Sequence, residues 1–521
     1  MNPIIVSIRS KEYPKVFTFF FLLLCGLFST TTLTAQALSK VEIKRAAAAY
    51  LPKSLAQYRS FLQIPNNGRI AQHRTDNVDW CVETFKALGY DTQVLNSSGI
   101  PHVFASRVYD PNYKSLLFYM QIDGQPVDPS KWDQADPYEP VLKKMVDGQW
   151  QTLDWRTLEN DFDPDLRVFA RSASDSKGPA MSFISALQIL QAKGIEPKYN
   201  VKVIMDFQEE LGSPTLGPLV KEDPTQFAAE MVLIMDGTRH LSNLPTLTFG
   251  ARGITTLSLK VFGAIRDLHS GQYGNFAPNP VFKLSRLLAD MKDETGRVLI
   301  PGFYDGVVLL ESEKKILNSL PESMEEIKAS LGLAVVDQVG ATYQEALQYP
   351  SLNVRGLKAA WVGKEVRTLI PSEAIAEIDM RLVPETPGER QVKLLKDFVI
   401  SRGYHLVDSI PTVAERLQYD KLISIKHRYG SQPFRTPMDS EIGRWLSQAM
   451  EYIYEDQYVR MRTTGGSQPM APFINTLGIP AVSIRIPNPD NSIHAPNENL
   501  RLGNYLEGIQ MCLSILVQDM K

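Results

Sequence analysis

Short apolar runs alternate with amphipathic segments along the first half of the chain. Apolar positions recur at helical spacing over Lys40–Leu62, Asp76–Leu88 and Pro179–Ala192, and Gly194 follows the last of these. Four intervening runs have the length and composition of strands: Thr92–Leu95, Ser115–Tyr119, Asn200–Met205 and Met231–Met235. Near-continuous apolar strands that alternate with helices are typical of a parallel sheet covered on both faces. The first half therefore predicts an α/β domain.

The pattern changes near Phe249 and changes back after residue 437. Thr255–Val261 and Ala374–Met380 alternate apolar and polar positions, as half-exposed strands do, and helices such as Pro280–Met291 and Glu389–Ser401 accompany them. The α/β pattern then returns over three segments: Ser440–Tyr454, Ala481–Ile484 and Leu502–Val517. We therefore predict an α/β fold, with a mostly parallel sheet flanked by helices over residues 38–248 and 437–521. An inserted α+β domain of the lid or dimerisation type would cover residues 249–436.

The N-terminus has the pattern of a secretory signal. Arg9, Lys11 and Lys15 precede the apolar run Val16–Phe28, and the small-residue site Ala35–Ala37 follows. We predict a signal peptide over residues 1–37 and an exported protein, periplasmic or secreted; a retained N-terminal anchor is the alternative. No later apolar run approaches the roughly 20 residues that span a membrane, so no membrane association is expected after cleavage.

Composition and charge narrow the classes of function. The 521 residues are 44% hydrophobic and 22% charged, which excludes a disordered or collagen-like chain. With 55 Lys and Arg against 58 Asp and Glu, the net charge of −3 gives no reason to expect a nucleic acid partner. Cys81 and Cys512, the cysteines after the signal, lack metal-site spacing, so two buried thiols are predicted. A disulfide between them stays open in an oxidising compartment.

Several acidic residues follow the predicted strands directly. They gather, with one histidine, at the carboxyl edge of the sheet, where sites of open α/β sheets lie: Asp123, Glu209, Glu210, Asp236 and His494. Asp175, which precedes the helix at Pro179, joins them. So many carboxylates repel one another unless a positive charge lies between them. Oxygen and imidazole ligands without thiolate suit Zn, Mn or Co, and a metal pair would satisfy the charges.

Five motifs within these segments resemble one family of enzymes. They are Ala173–Ala180, Gln208–Pro214, Asp267–Gly271, Met380–Pro384 and Arg462–Ser467. In this order they resemble the zinc-dependent metallopeptidase and amidohydrolase family of carnosinase-type dipeptidases, glutamate carboxypeptidases, aminoacylases and succinyl-diaminopimelate desuccinylases. The resemblance covers Leu51–Met520 and implies a zinc-peptidase-like catalytic domain with an inserted lid domain, through which a homodimer can form.

The resemblance assigns metal ligands to particular residues. Asp175 would bridge two metal ions, Glu210 and His494 would hold the first, and Asp236 would help to hold the second. Two Zn ions per chain are expected, with Mn or Co as alternatives. Gln121 occupies the position where the family has a histidine ligand, and a neutral amide oxygen is a much weaker zinc ligand than imidazole. Three outcomes stay open: Gln121 serves as an oxygen ligand, only one ion binds, or the protein binds without hydrolysing.

The resemblance also implies catalytic and substrate-binding roles. Glu209 would be the general base that takes a proton from the attacking water, and Asp123 would orient a neighbouring ligand. His269 would contact the substrate carbonyl oxygen. The substrate carboxylate would be held by four residues: Arg381, Gly465, Gly466 and Ser467.

These assignments predict a function. We expect an exported metal-dependent hydrolase that cleaves an amide bond in a dipeptide or an N-acyl amino acid with a free carboxylate. The alternative is a degenerate homologue that binds peptides without hydrolysis, because its first metal-ligand histidine is replaced by Gln121.

Overall fold

A mixed eight-stranded sheet forms the centre of the α/β part of the chain. The computed structural model describes residues 38–159, 162–468 and 470–519, so the predicted signal segment lies outside the described residues. In spatial order the strands are Asp91–Ser97, Ile100–Arg107, Asn200–Asp206, Ser115–Gln121, Met231–Ile234, Ala481–Arg485, Thr246–Thr248 and Val459–Met461. Ser115–Gln121 runs parallel to both of its neighbours, and Ala481–Arg485 runs parallel to Met231–Ile234. The mainly parallel centre confirms the predicted fold class.

The first two strands of this sheet form a hairpin that the apolar pattern did not predict. Asp91–Ser97 pairs antiparallel with Ile100–Arg107, and only Ser98 and Gly99 separate them. Both turn residues have positive φ, 52° and 80°, which is the geometry of a type I′ turn. The hairpin adds an antiparallel edge to the parallel centre.

Alternate residues of the central strands face opposite helical layers. Phe118 packs its ring against Phe183 of the helix Lys177–Lys193, with 4.1 Å between the ring centroids. Leu117 and Tyr119, on the other face, join a core that includes Phe473. The residues on both faces are fully buried, which is why the sequence of this strand is almost continuously apolar.

Helices cover both faces of the central sheet. Those of the α/β part are Lys40–Leu62, Ala71–Ala87, Lys177–Lys193, Leu216–Glu222, Glu441–Tyr454, Ala471–Leu477 and Leu502–Val517. Ser39 and Glu42 form a capping box at the start of the first helix, whose bounds agree with the prediction. The second begins at Ala71, five residues before the predicted start, because its first turn is polar and carries no apolar repeat.

A second, five-stranded sheet lies between residues 253 and 429. Its spatial order is Ser351–Lys358, Glu373–Leu382, Gly253–Phe262, Leu422–Tyr429 and His405–Leu406. Buried and half-buried positions alternate along Gly253–Phe262 and Glu373–Leu382, which confirms the predicted alternation in these segments. The helices of this region are Ser270–Tyr273, Pro280–Ala289, Glu311–Asn318, Met324–Leu331, Tyr343–Ala346, Gly388–Ser401 and Val413–Gln418. The domain boundaries at residues 249 and 436 stay a prediction, and the described residues from Ser39 onward form one compact unit.

Smaller sheets and turns complete the fold. A four-stranded sheet contains Asn499–Arg501, Arg167–Phe169, Val141–Val146 and Gln149–Leu153. Two-stranded pairs join Gly250–Ala251 to Phe434–Arg435 and Leu268–His269 to Leu369–Ile370. Short 3-10 turns occur at Pro129–Lys131, Trp155–Glu159, Glu209–Leu211 and Gly363–Glu365.

Two further expectations concern thiols and membranes. Cys81 and Cys512 are both buried and free, which confirms the predicted thiols and excludes a disulfide between them in this structure. Within the part of the chain that the structure describes, no helix combines the length and the apolar character needed to cross a bilayer.

Replacing Phe183 by Ala should destabilise the fold strongly. The ring is completely buried, and its removal leaves a cavity beside Phe118, so the free energy of unfolding should fall by about 3–5 kcal/mol. Phe282→Ala is the matched control, because that ring is 69% exposed and its loss should change the free energy by less than about 0.5 kcal/mol. Urea unfolding measures both values. Equal effects of the two substitutions would contradict the assignment of this core.

Candidate metal centre

Two carboxylates and one histidine converge at the carboxyl edge of the central sheet. Nε2 of His494 lies 3.0 Å from Oδ2 of Asp175 and 3.3 Å from Oε2 of Glu210. One ligand atom from each residue can be chosen so that all three lie within 4.8 Å of one another. The Asp175 and Glu210 side chains are 5% and 6% exposed, whereas His494 is 54% exposed and borders the solvent. The three side chains can therefore share one small cation at the edge of the solvent.

Each of the three residues comes from a different connection at the end of a strand or the start of a helix. Asp175 lies two residues before the helix Lys177–Lys193. Glu210 is in the 3-10 turn Glu209–Leu211, just beyond the strand Asn200–Asp206. His494 lies in the loop that follows Ala481–Arg485 and has a positive φ of 59°. The sheet thus brings together residues that are far apart in the sequence.

The segment that carries Asp175 is held by a buried carboxylate, Glu498. This side chain is completely buried and accepts hydrogen bonds from the backbone N–H of Ser172, Ser174 and Asp175, at 2.9, 2.9 and 2.8 Å. The Ser174 hydroxyl donates to it at 2.8 Å, and Arg171 pairs with it at 2.7 Å. Charge-assisted bonds of this kind are short and strong, so Glu498 fixes the backbone of Asp175.

Asp123 fixes the backbone of the turn that carries Glu209 and Glu210. Its Oδ1 accepts the Glu209 N–H at 2.9 Å, and its Oδ2 accepts the Glu210 N–H at 3.3 Å. The resemblance implies that Asp123 orients a ligand; the structure shows it bound to the backbone of both glutamates, and its role toward a ligand stays a prediction. Gln125 donates to Oε2 of Glu210 at 2.6 Å and fixes that side chain as well.

Asp236 is linked to Asp175 through a serine. The Ser176 hydroxyl lies 2.6 Å from Oδ1 of Asp236 and 3.2 Å from Oδ1 of Asp175, so it can donate to either. Gln468 donates to Oδ2 of Asp236 at 3.1 Å and accepts from Ser483 at 3.1 Å. Asp236 therefore lies beside the three converging residues, with both oxygens facing protein donors.

The electrostatics of the site follow from the density of buried carboxylates. Burial, then the neighbouring carboxylates, raise the pKa of Glu209 well above its usual range. Burial also raises the pKa of Asp123 well above its usual range, that of Asp175 to about 6 and that of Glu210 to about 8. The Asp175 carboxylate raises the pKa of His494 to about 9. Burial is the largest cause of the carboxylate shifts, and the neighbouring negative charges, which a cation would offset, add to each of them.

The residues present fit one metal ion well. Oδ2 of Asp175 is buried and makes no hydrogen bond of normal geometry with any described residue. Buried polar atoms are rarely left in this state, and an unsatisfied carboxylate oxygen next to an imidazole is a typical ligand arrangement. Asp175, Glu210 and His494 would hold this ion.

The described residues offer fewer and weaker ligands for a second metal ion. The Gln121 side chain is buried, and its Nε2 points to the Asp123 carbonyl oxygen at 3.4 Å. A side-chain amide contributes no imidazole and no charge, so the ligands left for a second ion are the Asp175 and Asp236 carboxylates.

The predicted carboxylate-binding residues lie close to the acidic cluster. Nη1 of Arg381 donates to the Ser467 hydroxyl at 3.0 Å, and Gly466 accepts the backbone N–H of Arg252 at 3.1 Å. Gly465 is half-buried and Gly466 is exposed. Ser467 directly precedes Gln468, which contacts Asp236. The Arg381 guanidinium is therefore joined to Asp236 through two consecutive residues of one loop.

His269 lies in the part of the chain that contains the second, five-stranded sheet, and it is exposed. It pairs with Leu369 in a two-stranded sheet, and its Nδ1 accepts the N–H of Gly271 at 3.1 Å. Among the described residues, no hydrogen bond or ion pair joins His269 to the acidic cluster. Its implied contact with a substrate carbonyl stays a prediction.

The sequence comparison decides the family. Residues 117–518 match peptidase family M20/M25/M40. The chain belongs to this family. It is 28% identical over 419 residues to a Cys-Gly metallodipeptidase, dug1, of Schizosaccharomyces pombe, covering 79% of this chain and 81% of that one. It is 26% identical over 427 residues to the human Beta-Ala-His dipeptidase, covering 80% and 77% of the two chains.

A solved structure shows the same architecture. The M20 family metallo-carboxypeptidase Sso-CP2 of Sulfolobus solfataricus superposes with a TM-score of 0.72 at 27% identity. The superposition covers 89% of this chain and 98% of that one. The chain is thus an M20 metallopeptidase, and the resemblance drawn from the motifs is confirmed.

Four residues of this M20 site were not predicted from the sequence. Each of them forms a hydrogen bond that holds a predicted residue in place, and none was indicated by its position after an apolar strand. They are Gln125, Ser176, Gln468 and Glu498. Glu498 follows His494 by four residues and Gln468 follows Ser467, so proximity to a predicted residue is the signal that could have found them.

Replacing His494 by Ala should remove most of the zinc-dependent stability of this peptidase. A ligand that binds only the folded chain raises its stability by about 2.7 kcal/mol at a concentration of 100 Kd. The wild-type melting temperature should therefore rise with added Zn, and that of His494→Ala should rise much less. His427→Ala, an exposed histidine of the second sheet, is the control and should respond like wild type. Equal zinc responses in all three proteins would show that His494 is not a ligand.

Proposed function

We propose that this M20 peptidase is a metal-dependent dipeptidase that hydrolyses short peptides with a free carboxylate. One observation carries the proposal: the Arg381–Ser467 pair is connected through Gln468 to Asp236, and from there through Ser176 to Asp175. A cation that can bind a carboxylate is thus connected to the candidate metal ligands through a chain of side-chain hydrogen bonds. Such a connection favours a substrate whose scissile bond lies close to its C-terminal carboxylate.

The residues divide the reaction between them. A bound metal ion would polarise the substrate carbonyl and lower the pKa of water. Glu209, held through its backbone N–H by Asp123, would accept the proton of the attacking water and pass it to the leaving amine. The raised pKa of Glu209, caused by burial and neighbouring carboxylates, falls when a cation offsets their charge. A base of moderate pKa is what proton transfer near neutral pH requires.

The relatives support hydrolysis of dipeptides over two alternatives. The similar proteins are named as dipeptidases that act on Cys-Gly and on Beta-Ala-His. These names favour a peptide substrate over an N-acyl amino acid, and turnover over binding without hydrolysis. The observation that Glu209, Glu210, Asp175 and His494 are all present and brought together argues in the same direction.

The proposal is tested by hydrolysis of a panel of dipeptides and N-acetyl amino acids. Purified protein supplied with Zn, Mn or Co in turn should release amino acids from dipeptides, a chelator should stop the release, and fresh metal should restore it. Release from the N-acetyl amino acids alone would favour a deacylase. Specific binding of the peptides without release under any metal would overturn the proposal.

Replacing Glu209 by Gln should abolish turnover while leaving the metal bound. The amide keeps the size of the side chain but cannot accept the proton, so kcat should fall by about 10²- to 10⁴-fold. Metal content, measured by elemental mass spectrometry, should equal that of wild type. Unchanged turnover would show that Glu209 is not the base, and a simultaneous loss of metal would indicate a ligand instead.

Replacing Arg381 by Met should weaken binding of the substrate carboxylate. Loss of a charged hydrogen bond costs about 1.5–3 kcal/mol, so KM for a dipeptide should rise roughly 10- to 150-fold. Arg355→Met, at an exposed arginine of the second sheet, is the control and should leave KM unchanged. Hydrolysis of a C-terminally amidated dipeptide should be equally slow in wild type and Arg381→Met. A KM ratio near one for the free acid would reject this role.

We also propose that the chain is exported. The order of basic, apolar and small residues within residues 1–37 supports this proposal. Cell fractionation with an antibody and N-terminal sequencing of the mature protein test it. A cytosolic chain that begins at Met1 would contradict it.

A further inference from the structure

A buried arginine near the acidic cluster has no role in the site described above. Arg485 ends the strand Ala481–Arg485, and only 5% of the residue is exposed. Its Nε and Nη2 are buried, and neither has a hydrogen-bond partner among the residues that the structure describes. Buried guanidinium groups are normally paired, because an isolated charge in the interior is costly. An arginine left in this state points to a charge that it offsets nearby.

The guanidinium lies against the residue that follows Asp236. A Cβ atom added to Gly237 would lie 1.2 Å from Nη1 of Arg485 and 2.4 Å from its Cζ. Gly237 has a φ of +93°, so the absence of a side chain serves both the turn and this close approach. Burial lowers the pKa of Arg485, and attraction to the Asp236 carboxylate opposes that change. Asp236 is therefore the carboxylate whose charge this guanidinium offsets.

Gln121 and Arg485 thus have the same consequence for a second ion. Gln121 offers a neutral amide in place of an imidazole, which removes a strong ligand of a second ion. Arg485 adds a positive charge against Gly237, the residue that follows Asp236, and interacts with the Asp236 carboxylate. Asp236 itself has both oxygens facing the donors Ser176 and Gln468. A second divalent ion would meet a weaker ligand set and a like charge close to Asp236.

We propose that Arg485 supplies, beside Asp236, the positive charge that a second metal ion would otherwise bring, and that this chain binds one metal ion, at Asp175, Glu210 and His494. The inference rests on the proposed function of the site as a metal-dependent hydrolase. It assigns Arg485 as a positioning and charge-balancing residue, since nothing places it against the substrate.

The number of bound ions tests this inference directly. Wild-type protein equilibrated with buffered Zn and freed of excess metal should contain one ion per chain by elemental mass spectrometry. After loading with Mn, its electron paramagnetic resonance spectrum should be that of an isolated ion. Two ions per chain, or the spectrum of an exchange-coupled pair, would overturn the inference.

Two double variants separate the effect of the Arg485 charge from the effect of the ligand at position 121. Gln121→His combined with Arg485→Met should bind two ions, because it restores an imidazole and removes the opposing charge. Gln121→His combined with Arg485→Lys keeps the charge and should stay at one ion. If both folded double variants bind the same number of ions, the charge of Arg485 does not decide occupancy and the inference fails. If Arg485→Met does not fold, as shown by circular dichroism, Gln121→His alone still tests the inference, because two ions bound with Arg485 in place would overturn it.

The same experiments distinguish this inference from the proposed function. A wild-type protein that holds two ions and hydrolyses dipeptides would overturn the role of Arg485 and leave the proposed function intact. A wild-type protein that holds one ion and hydrolyses none of the panel would overturn the proposed function and leave the single-ion assignment intact.

Discussion

Repulsion among five neighbouring carboxylates is the constraint on which the site depends. Glu209 interacts with Asp123, Asp175, Glu210 and Asp236 in a space where burial alone already disfavours their charged forms. A fold tolerates such a cluster only if cations or hydrogen-bond donors offset its charge. The surroundings of each acid therefore indicate its role, because the donors are distributed unevenly among them.

The carboxylates that accept hydrogen bonds from several protein donors are the ones that fix the backbone around the site. Glu498 takes three backbone N–H groups, a hydroxyl and an arginine, and Asp123 takes the N–H groups of the two glutamates. By contrast, Oδ2 of Asp175 has no hydrogen bond of normal geometry within the described part of the chain. Glu498 and Asp123 therefore position the loops, whereas the Asp175 oxygen faces Nε2 of His494 and is available to a cation. This division gives a preorganised site without relying on the metal to order the backbone.

The sequence predicted those residues of the site that lie just beyond the end of a strand. Asp123, Glu209 and Asp236 each come directly after an apolar strand, and parallel strands place their carboxyl ends at one edge. His494 was placed at the same edge because its loop follows the strand Ala481–Ile484, and the motif resemblance then assigned it as a metal ligand. The central strands and the longest helices were predicted because their apolar repeats are long enough to be unambiguous.

What the sequence could not predict depends on contacts between distant segments. Glu498 is an ordinary loop glutamate until residues 171–175 fold around it, and more than three hundred residues separate the two. The strand Ile100–Arg107 was missed although the Ser98–Gly99 turn carries a hairpin signal, since the strand itself lacks strict alternation. Arg485 ends an apolar strand and resembles any exposed strand terminus until its burial is known.

The hydrogen bonds of Ser467 and Gln468 connect Arg381 to the acidic cluster, and under the proposed function this connection would limit the length of the substrate. Gln468 binds Asp236 and Ser483, while the residue before it binds Arg381, so the carboxylate-binding loop cannot shift without disturbing the acidic cluster. A flexible loop would let the distance between the two subsites vary and would accept peptides of several lengths. Hydrogen bonds from two consecutive residues restrain that distance, and misplacement of a reacting bond by about 1 Å can cost 10²-fold in rate. Under the proposed function, this restraint would favour short peptides without any pocket that recognises a particular side chain.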